Sequence, residues 1–414
     1  IFILMTKAAR ASVNLKSYCL NVQPFEVTNS REREMAGIKQ ILHCRKIESL
    51  TAHFNFLGTV SISQKTCWEN LRAMNLELII TFDLGMELQA VTIMIQKLEK
   101  LEFLKLTIKG SNKDVNYQFP HIEQLLTKAK FTKLKLKFEI FANRLRATNL
   151  LSEYQENCIK VRNTIIFNRA ISSMNGLKEF YINYNFLPRR TGIFENHFYF
   201  LQFSKLTSLE VFGITFDVDL LIDYPELLEK ITNEIKEIKN LRKFTWNSQG
   251  LFPNEIKLIL ACVLQICQLR SLELNSRHNN QVIKRKESYN YNINPVSQET
   301  YPKSLEKIII NCPDSEFHCL ELVIFATKTS TLTQLELKTT YNQTENSFLW
   351  EGYSFNNLRS LSFQIQLQGS DPYKIIQDIT IIIKSTLCLE FFRLDITEAA
   401  HDTRNIWILL DLGS

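Results

Sequence analysis

Cysteine and histidine are the side chains best suited to nucleophilic or metal chemistry, and they are scattered along this chain of 414 residues. None of the nine cysteines forms a C-x-x-C pair, and none of the seven histidines stands in a recognised arrangement with a Ser or Cys nucleophile. The one cluster is Cys312, His318 and Cys319, but a zinc site needs a fourth ligand and a matching second pair. We therefore predict no catalytic residue and no metal site, and we expect that the chain is not an enzyme.

Glycine is scarce, with eleven residues in the chain against a usual share of about 7%. Loops that cradle a phosphate need glycine, because the backbone must approach the phosphate closely. The sequence has no G-x-G-x-x-G, no G-x-x-x-x-G-K-S/T, no G-x-S-x-G and no H-E-x-x-H. These observations argue against nucleotide-dependent enzymes and common hydrolases, and we predict that the chain binds no cofactor.

The composition is that of a folded protein, with 45% apolar and 22% charged residues. The odd number of cysteines argues against a disulfide framework and favours free thiols in an intracellular, reducing compartment. No apolar run approaches the ~18 residues of a membrane-spanning helix, so we expect no membrane insertion. The net charge of +6 is a small excess, which allows a nucleic-acid partner but does not favour one.

A short pattern recurs along the chain: an apolar residue, two variable residues, an apolar residue, one variable residue and an apolar residue. Three copies contain leucine at all three apolar places: Leu101-Leu104-Leu106, Leu269-Leu272-Leu274 and Leu332-Leu335-Leu337. Variants such as Leu206-Leu209-Val211 and the weak first copy Ile47-Leu50-Ala52 bring the starts to residues 47, 71, 101, 131, 177, 206, 241, 269, 305, 332, 358 and 389. This regular spacing distinguishes the pattern from the chance matches that an apolar-rich chain also contains.

Segments with the apolar spacing of a helix lie between the copies. They are Met86–Lys97, Phe119–Lys130, Leu220–Lys239, Asn254–Gln268 and Tyr373–Leu387. The predicted unit is thus a short strand, a turn, a helix and a return to the next strand. One such unit cannot bury both its strand face and its helix face, so neighbouring units must stack to enclose a common core.

The pattern resembles that of the leucine-rich repeat family, in the long-repeat, ribonuclease-inhibitor-like form, over about residues 40–400. The resemblance implies an α/β fold, a leucine-rich-repeat solenoid or horseshoe with a parallel concave sheet and convex helices. The family's Asn, eight residues after the first motif position, is present at Asn55 and Asn185. In the three all-leucine copies it is replaced by Lys109, Arg277 and Thr340. Because that Asn satisfies buried backbone groups in the turn, its loss predicts a degenerate, irregular solenoid.

We expect three parts, with residues 1–46 as an N-terminal cap or extension, residues 47–400 as a solenoid of about 12 irregular repeats, and residues 401–414 as a C-terminal tail or cap. The alternative is a mixed α/β protein whose strands carry the same pattern by chance. The solenoid predicts that Leu104, Leu209, Leu272 and Leu335 lie at equivalent positions of parallel strands that follow one another in a sheet. Each such strand is called a rung, and this arrangement would distinguish the solenoid from the alternative.

Side chains alternate across a strand, so the variable residues within and after each motif are expected to share the exposed face of the sheet. Five lysines on that face, one of which is Lys109, are expected to cluster on two adjacent strands, ~4.8 Å apart. The cluster is either a docking surface for an acidic partner or a phosphate backbone, or a solvated face that blunts sheet association. The candidate partner-binding residues are the other four of these lysines (Lys105, Lys133, Lys135 and Lys137) with Tyr181, Phe212, Lys284, Arg285 and Lys286, the last three in a polar loop at 277–303.

From the resemblance we expect a non-catalytic scaffold or protein-recognition subunit of a larger intracellular assembly, which binds other proteins through the concave sheet and inserted loops. A substrate-recognition adaptor of a ubiquitin-ligase-type complex and a basic subunit of a nucleic-acid-containing assembly are the alternatives. The abundance of Asn, Lys, Ile and Phe is similar to that of proteins from AT-rich genomes, which makes a cytoskeletal or ciliary assembly one candidate location.

Overall fold

The structure of the chain is a computed structural model, and it divides into two compact units, Ile1–Leu209 and Glu210–Ser414. In each unit the strands pair in the order of the sequence. The residues that the structure describes are 16–21, 48–54, 69–80, 92–93, 95–111, 123–127, 131–141, 169–186, 202–216, 225–249, 251, 253–277, 302–316, 331–342, 355–368, 376, 379–380, 383–384, 386–398 and 405–411.

The described residues of the first unit form six strands, and neighbouring strands among these six pair in parallel. They are β1 (Ser17–Asn21), β2 (Ser49–Phe54), β3 (Ala73–Ile80), β4 (Phe103–Ser111), β5 (Lys133–Phe141) and β6 (Glu179–Phe186). Parallel neighbours need a crossover connection, and helical turns at residues 123–127 and 169–172 lie in the crossovers before β5 and β6.

The described residues of the second unit form eight strands and two helices. The elements are β7 (Val211–Phe216), α1 (Pro225–Lys236), β8 (Lys243–Gln249), α2 (Pro253–Val263), β9 (Ser271–Arg277), β10 (Lys307–Glu316), β11 (Gln334–Asn342), β12 (Ser360–Gln368), β13 (Phe391–Glu398) and β14 (Asn405–Asp411). Strands β7 to β13 pair in parallel in chain order, and β14 pairs antiparallel with β13.

Parallel strands in chain order, with helical crossovers between them, make both units α/β and solenoid-like. This leucine-rich-repeat-like arrangement is the fold class that the sequence predicts, and the prediction is confirmed. Leu104, Leu272 and Leu335 occupy equivalent rungs, where each lies opposite a motif residue of the neighbouring strand. All three side chains are completely buried, as the alternation of a strand with one core face requires.

The copy that starts at residue 206 is an exception, and its predicted register is wrong. Strand β7 pairs with β8 so that Phe212 lies opposite Phe244, and Leu209 precedes the strand. The motif is therefore Leu209-Phe212-Ile214, three residues later than predicted. Both registers satisfy the sequence pattern, but the observed one buries Phe212 and Ile214 completely and leaves Val211 half-buried.

Strands also occur within both end segments of the chain. Strand β1 lies inside residues 1–46 and pairs with β2 in the motif register, with Tyr18 opposite Leu50. Strand β14 lies inside residues 401–414 and runs opposite to β13, with Ile408 opposite Leu394. Each end segment thus contributes a strand to the sheet of its own unit.

The two described helices overlap the helical segments that the sequence predicts in this part of the chain. Leu228, Ile231 and Ile235 are buried on one side of α1 at helical spacing, whereas α2 is buried nearly all round and packs against α1. Pro225 and Pro253 are the first residues of these helices, where a backbone N–H would have no partner within the helix. Among the described residues no helix is long and apolar enough to cross a membrane.

Large aromatic side chains fill the core beneath β7 and β8. The rings of Phe212 and Phe244 stack with centroids 5.9 Å apart, and Trp246 lies 6.3 Å from Phe244. The buried indole N–H of Trp246 donates a hydrogen bond to Ser248 Oγ at 3.1 Å, so the polar end of the ring is satisfied inside the core.

Within each unit, neighbouring parallel strands are joined at their starts by the same kind of hydrogen bond. The residue before a strand accepts two hydrogen bonds at its carbonyl oxygen. The donors are the N–H of the residue before the next strand and the N–H of the first residue of that next strand. The carbonyl oxygen of Glu48, before β2, thus accepts from Arg72 at 2.8 Å and from Ala73, the first residue of β3, at 3.0 Å. The accepting carbonyls belong to Lys16, Glu48, Arg72, Glu102 and Thr132 in the first unit and to Glu210, Arg242, Arg270, Glu306, Thr333 and Arg359 in the second. These bonds set where every rung begins.

Side chains of the same pre-strand residues form ion pairs between neighbouring rungs. The pairs are Lys16–Glu48, Arg72–Glu102, Arg242–Glu210, Arg270–Glu306 and Arg359–Glu390, at 3.1–3.8 Å. Their side chains are largely exposed, so each pair contributes about 0–1 kcal/mol. Thr132 and Thr333 occupy this position on two other rungs. The hydroxyl of Thr132 donates to the carbonyl oxygen of Glu102 at 3.2 Å, and that of Thr333 donates to the carbonyl oxygen of Glu306 at 3.0 Å. The repeat pattern leaves this position variable and therefore does not predict the pairs.

Replacing Arg270 by proline tests the shared carbonyl bond, because proline lacks the N–H that donates to the Arg242 carbonyl at 2.7 Å. We expect Arg270→Pro to lower the free energy of unfolding by about 2–3 kcal/mol, measured by urea denaturation with tryptophan fluorescence. Arg270→Ala is the matched control. It keeps the N–H, loses only the exposed pair with Glu306 and is expected to cost less than about 1 kcal/mol. Equal losses in both variants would contradict a structural role for the backbone bond.

Candidate functional site

One face of the strands stays accessible to solvent in each unit, and we call it the open face. The motif residues are buried on the opposite side, while most residues that alternate with them are half-buried or exposed. Because the strands are in register, the open-face residues form rows across the strands. On β5 the first, second and third rows hold Lys133, Lys135 and Lys137.

Lysines and aromatic residues meet on the open face of β4, β5 and β6. The first row holds Phe103, Lys133 and Glu179, the second Lys105, Lys135 and Tyr181, and the third Thr107, Lys137 and Asn183. We call Phe103, Lys105, Lys133, Lys135 and Tyr181 the lysine–aromatic cluster. The structure therefore brings together five of the residues predicted from the sequence, namely Lys105, Lys133, Lys135, Lys137 and Tyr181.

Lys135 is held between two aromatic rings. Its Nζ lies 4.5 Å from the ring centroid of Tyr181 on β6 and 6.0 Å from that of Phe103 on β4. An ammonium over a ring face is attracted by the ring quadrupole, by about 0.5–1 kcal/mol at an exposed site. The aromatic neighbours thus fix the position of an exposed lysine without neutralising its charge.

Glutamates neutralise one lysine of the cluster, Lys133, and one lysine beside it, Lys109. Lys133 Nζ lies 2.7 Å from Glu179 Oε1, and this hydrogen bond and the charge of Glu179 raise the pKa of Lys133 above its ordinary value. Lys109 Nζ lies 2.7 Å from Glu77 Oε1 on the neighbouring strand β3. Both glutamates that border the cluster on β3 and β6 are therefore already paired.

Lys105 and Lys135 lie directly opposite each other in the second row, and both are exposed. Within the described part of the chain, neither of them makes an ion pair. Asn183 in the third row has a buried Oδ1 with no hydrogen-bond partner among the described residues. The centre of the cluster thus combines two uncompensated positive charges with aromatic surface.

The remaining predicted site residues do not join the cluster. Phe212 was expected on the exposed face, and this prediction is wrong, because the three-residue shift of register places its ring in the core with no exposed surface. Lys284, Arg285 and Lys286 lie outside the described residues.

A row of amide and hydroxyl side chains crosses the open face of the second unit. Asn247 Nδ2 donates to Thr215 Oγ1 at 3.1 Å, and Asn275 Nδ2 donates to Asn247 Oδ1 and to Glu273 Oε1, both at 2.9 Å. The row continues to Asn311, beyond which the register of β10 with β11 shifts. The sequence alternation places these asparagines on the open face, but Thr215 was missed because the register of β7 was wrong.

The described residues offer little for catalysis or metal binding. They contain no group of three or more His, Cys, Asp or Glu side chains placed to hold a metal ion. Cys312 is buried, and its sequence neighbours His318 and Cys319 lie outside the described residues. Burial raises the pKa of the Cys262 thiol, so this cysteine stays protonated and is a poor nucleophile.

The fold and the open face together define a leucine-rich-repeat-like α/β protein with a charged and aromatic surface on parallel strands. No protein-family model matches the sequence, and no curated protein matches it. Among solved structures, the crystal structure of a TLR13–ssRNA13 complex is similar over 80% of this chain, with 14% identity and a TM-score of 0.34. This chain covers only 44% of that protein, and the similarity does not bear on function.

Replacing Glu179 by glutamine tests the pairing at the border of the cluster. We expect Glu179→Gln to lower the pKa of Lys133, because the hydrogen bond and the negative charge that raise it are lost or weakened. Since folding raises this pKa, the pairing stabilises the fold below pH ~10.4 and is lost as the pH rises through the folded-state pKa.

The pKa is measured by following the side-chain carbon resonances of Lys133 in a pH titration. Glu336→Gln, on the open face of β11 in the other unit, is the matched control and is expected to leave the pKa of Lys133 unchanged. No downward shift in Glu179→Gln would contradict the pairing.

Replacing Asn247 by alanine tests the amide row, because it removes one donor and one acceptor that are both in use. We expect a loss of about 1–2 kcal/mol in the free energy of unfolding, measured by urea denaturation. Asn311→Ala is the matched control in the same row, since that side chain makes no hydrogen bond to the described residues. A comparable loss in both variants would mean that the hydrogen bonds of the row do not stabilise the unit.

Proposed function

We propose that the chain is a non-catalytic scaffold or protein-recognition subunit of a larger assembly and that it binds partners through the open face and the inserted segments. The open face is the observation that carries this proposal. In each unit it presents charged, polar and aromatic side chains in rows that cross strands ~4.8 Å apart, and the other side of these strands packs on a buried core.

Rigidity is what makes such a surface suitable for recognition. Because backbone bonds at the start of each rung set the strand positions, few backbone degrees of freedom are lost when a partner binds. Many individually weak contacts across several strands then add up to a specific interface. Helices of 12 and 11 residues between strands of the second unit support the long-repeat form of the fold.

A nucleic-acid partner remains the second candidate, because the lysines of β4 and β5 favour a phosphate ligand. The glutamates on both sides of these strands count against a continuous phosphate track. The intracellular, cytoskeletal or ciliary location remains an expectation from composition.

Crosslinking of the native assembly tests the proposal. The tagged chain is purified from its cells at moderate salt, treated with a lysine-reactive crosslinker and analysed by mass spectrometry. We expect crosslinks to other proteins from the exposed open-face lysines Lys105, Lys135 and Lys338, and few from Lys97 and Lys239, which are exposed in crossovers. Recovery as a free monomer with measurable turnover, or crosslinks only from the crossover lysines, would overturn the proposal.

A further inference from the structure

We infer that the lysine–aromatic cluster is a recognition site for an acidic segment of a partner protein, with carboxylates seated between Lys105 and Lys135. The inference rests on the proposed function and deepens it, because it assigns one part of the open face to one class of ligand. It is carried by the charges, the aromatic contacts and the borders of the cluster, each of which limits what the site accepts.

The positive charges of Lys105 and Lys135 favour a negatively charged ligand. Lys105 and Lys135 face each other on adjacent strands ~4.8 Å apart, an arrangement of like charges that is unfavourable in the free protein. Neither lysine is compensated within the described part of the chain, because the neighbouring carboxylates of Glu77 and Glu179 are paired at 2.7 Å with other lysines. A carboxylate placed between the two ammonium groups relieves this repulsion and gains two charge-assisted hydrogen bonds.

The aromatic rings position one of these two lysines. Lys135 is held over Tyr181 and near Phe103, so less side-chain freedom is lost when it binds an anion than for a lysine extended into water. Both rings are half-buried and keep some apolar surface on the open face. The methylene groups of a bound glutamate side chain can pack on that surface while its carboxylate reaches the ammonium groups.

The borders of the cluster favour a peptide over a nucleic acid. The uncompensated lysines occupy two strands, a width of ~10 Å, and a paired glutamate lies on the next strand on each side. Duplex DNA carries one charge for every ~1.7 Å of its axis, so a phosphate track needs a longer run of positive charge than two lysines provide. In the row of Lys105 and Lys135 the flanking residues are the uncharged Asn75 and Tyr181, and the glutamates lie one row away on either side, Glu179 in the first row and Glu77 in the third. One or two carboxylates of a peptide fit between the borders and meet only the two lysines.

The test measures binding of a fluorescein-labelled peptide of alternating glutamate and serine to the full chain, by fluorescence anisotropy at low salt. The matched probe is the same peptide with glutamine in place of glutamate, and single-stranded oligo-dT is the nucleic-acid probe. The variants are Lys105→Gln, Lys135→Gln and the double variant K105E/K135E. The control is K97E/K239E, which makes the same change of charge at two exposed crossover lysines away from the open face.

We expect the glutamate peptide to bind more tightly than the glutamine peptide and the oligonucleotide. Each single variant is expected to weaken binding by about fivefold, and the double variant by more than either. The K97E/K239E control is expected to bind like the unaltered chain. Melting temperatures close to that of the unaltered chain will confirm that the variants are folded, and the glutamine variants provide the test should the charge reversal unfold the protein.

Three results would overturn the inference: equal binding of the two peptides, unchanged binding in the double variant, or tighter binding of oligo-dT that is lost in the double variant. The last result would assign the cluster to nucleic acid. If K105E/K135E still crosslinks to the same partner proteins, the result would contradict the inference but would not contradict the proposed function. Absence of any partner in cells would count against the proposed function, while the peptide measurement would still decide the chemistry of the cluster.

Discussion

A carbonyl oxygen that accepts two N–H groups from the next rung marks the start of the strands in both units. Because this bond aligns each strand with its neighbour, the motif residues fall on one side and the alternating residues on the other. The buried core and the open face are therefore two results of one alignment. A one-residue slip in β5, for example, would bury its lysines and expose its leucines, so burial of the core reinforces the same alignment.

Most of the fold could be predicted because a strand with one buried face repeats its apolar residues at every second position. Leu104, Leu272 and Leu335 stand where this rule places them. The rule failed at β7, where two overlapping triplets of apolar residues satisfy it. Burying the ring of Phe212 removes more apolar surface from water than burying Val211, and this difference appears only when β7 is aligned with β8.

Membership of the lysine–aromatic cluster could be predicted, whereas its internal contacts could not. Alternation along β5 places Lys133 and Lys135 on one face, and this follows from local sequence. The partners Glu179 and Tyr181 come from β6, which a long connection separates from β5, so their contacts depend on the alignment of two distant segments. The ion pairs before the strands escaped prediction for the same reason.

Those ion pairs also limit how the number of repeats can change. They join rungs two by two, and Arg242 and Arg270, which belong to different pairs, stand on neighbouring rungs. Loss of the single rung that carries Glu306 would leave Arg270 without its glutamate and next to Arg242, whereas loss of the Arg270 and Glu306 rungs together would remove both members of one pair and leave the pair of Arg242 with Glu210 intact. Gene duplications or deletions that copy or remove repeats in twos should therefore be tolerated better than those that change the repeat number by one.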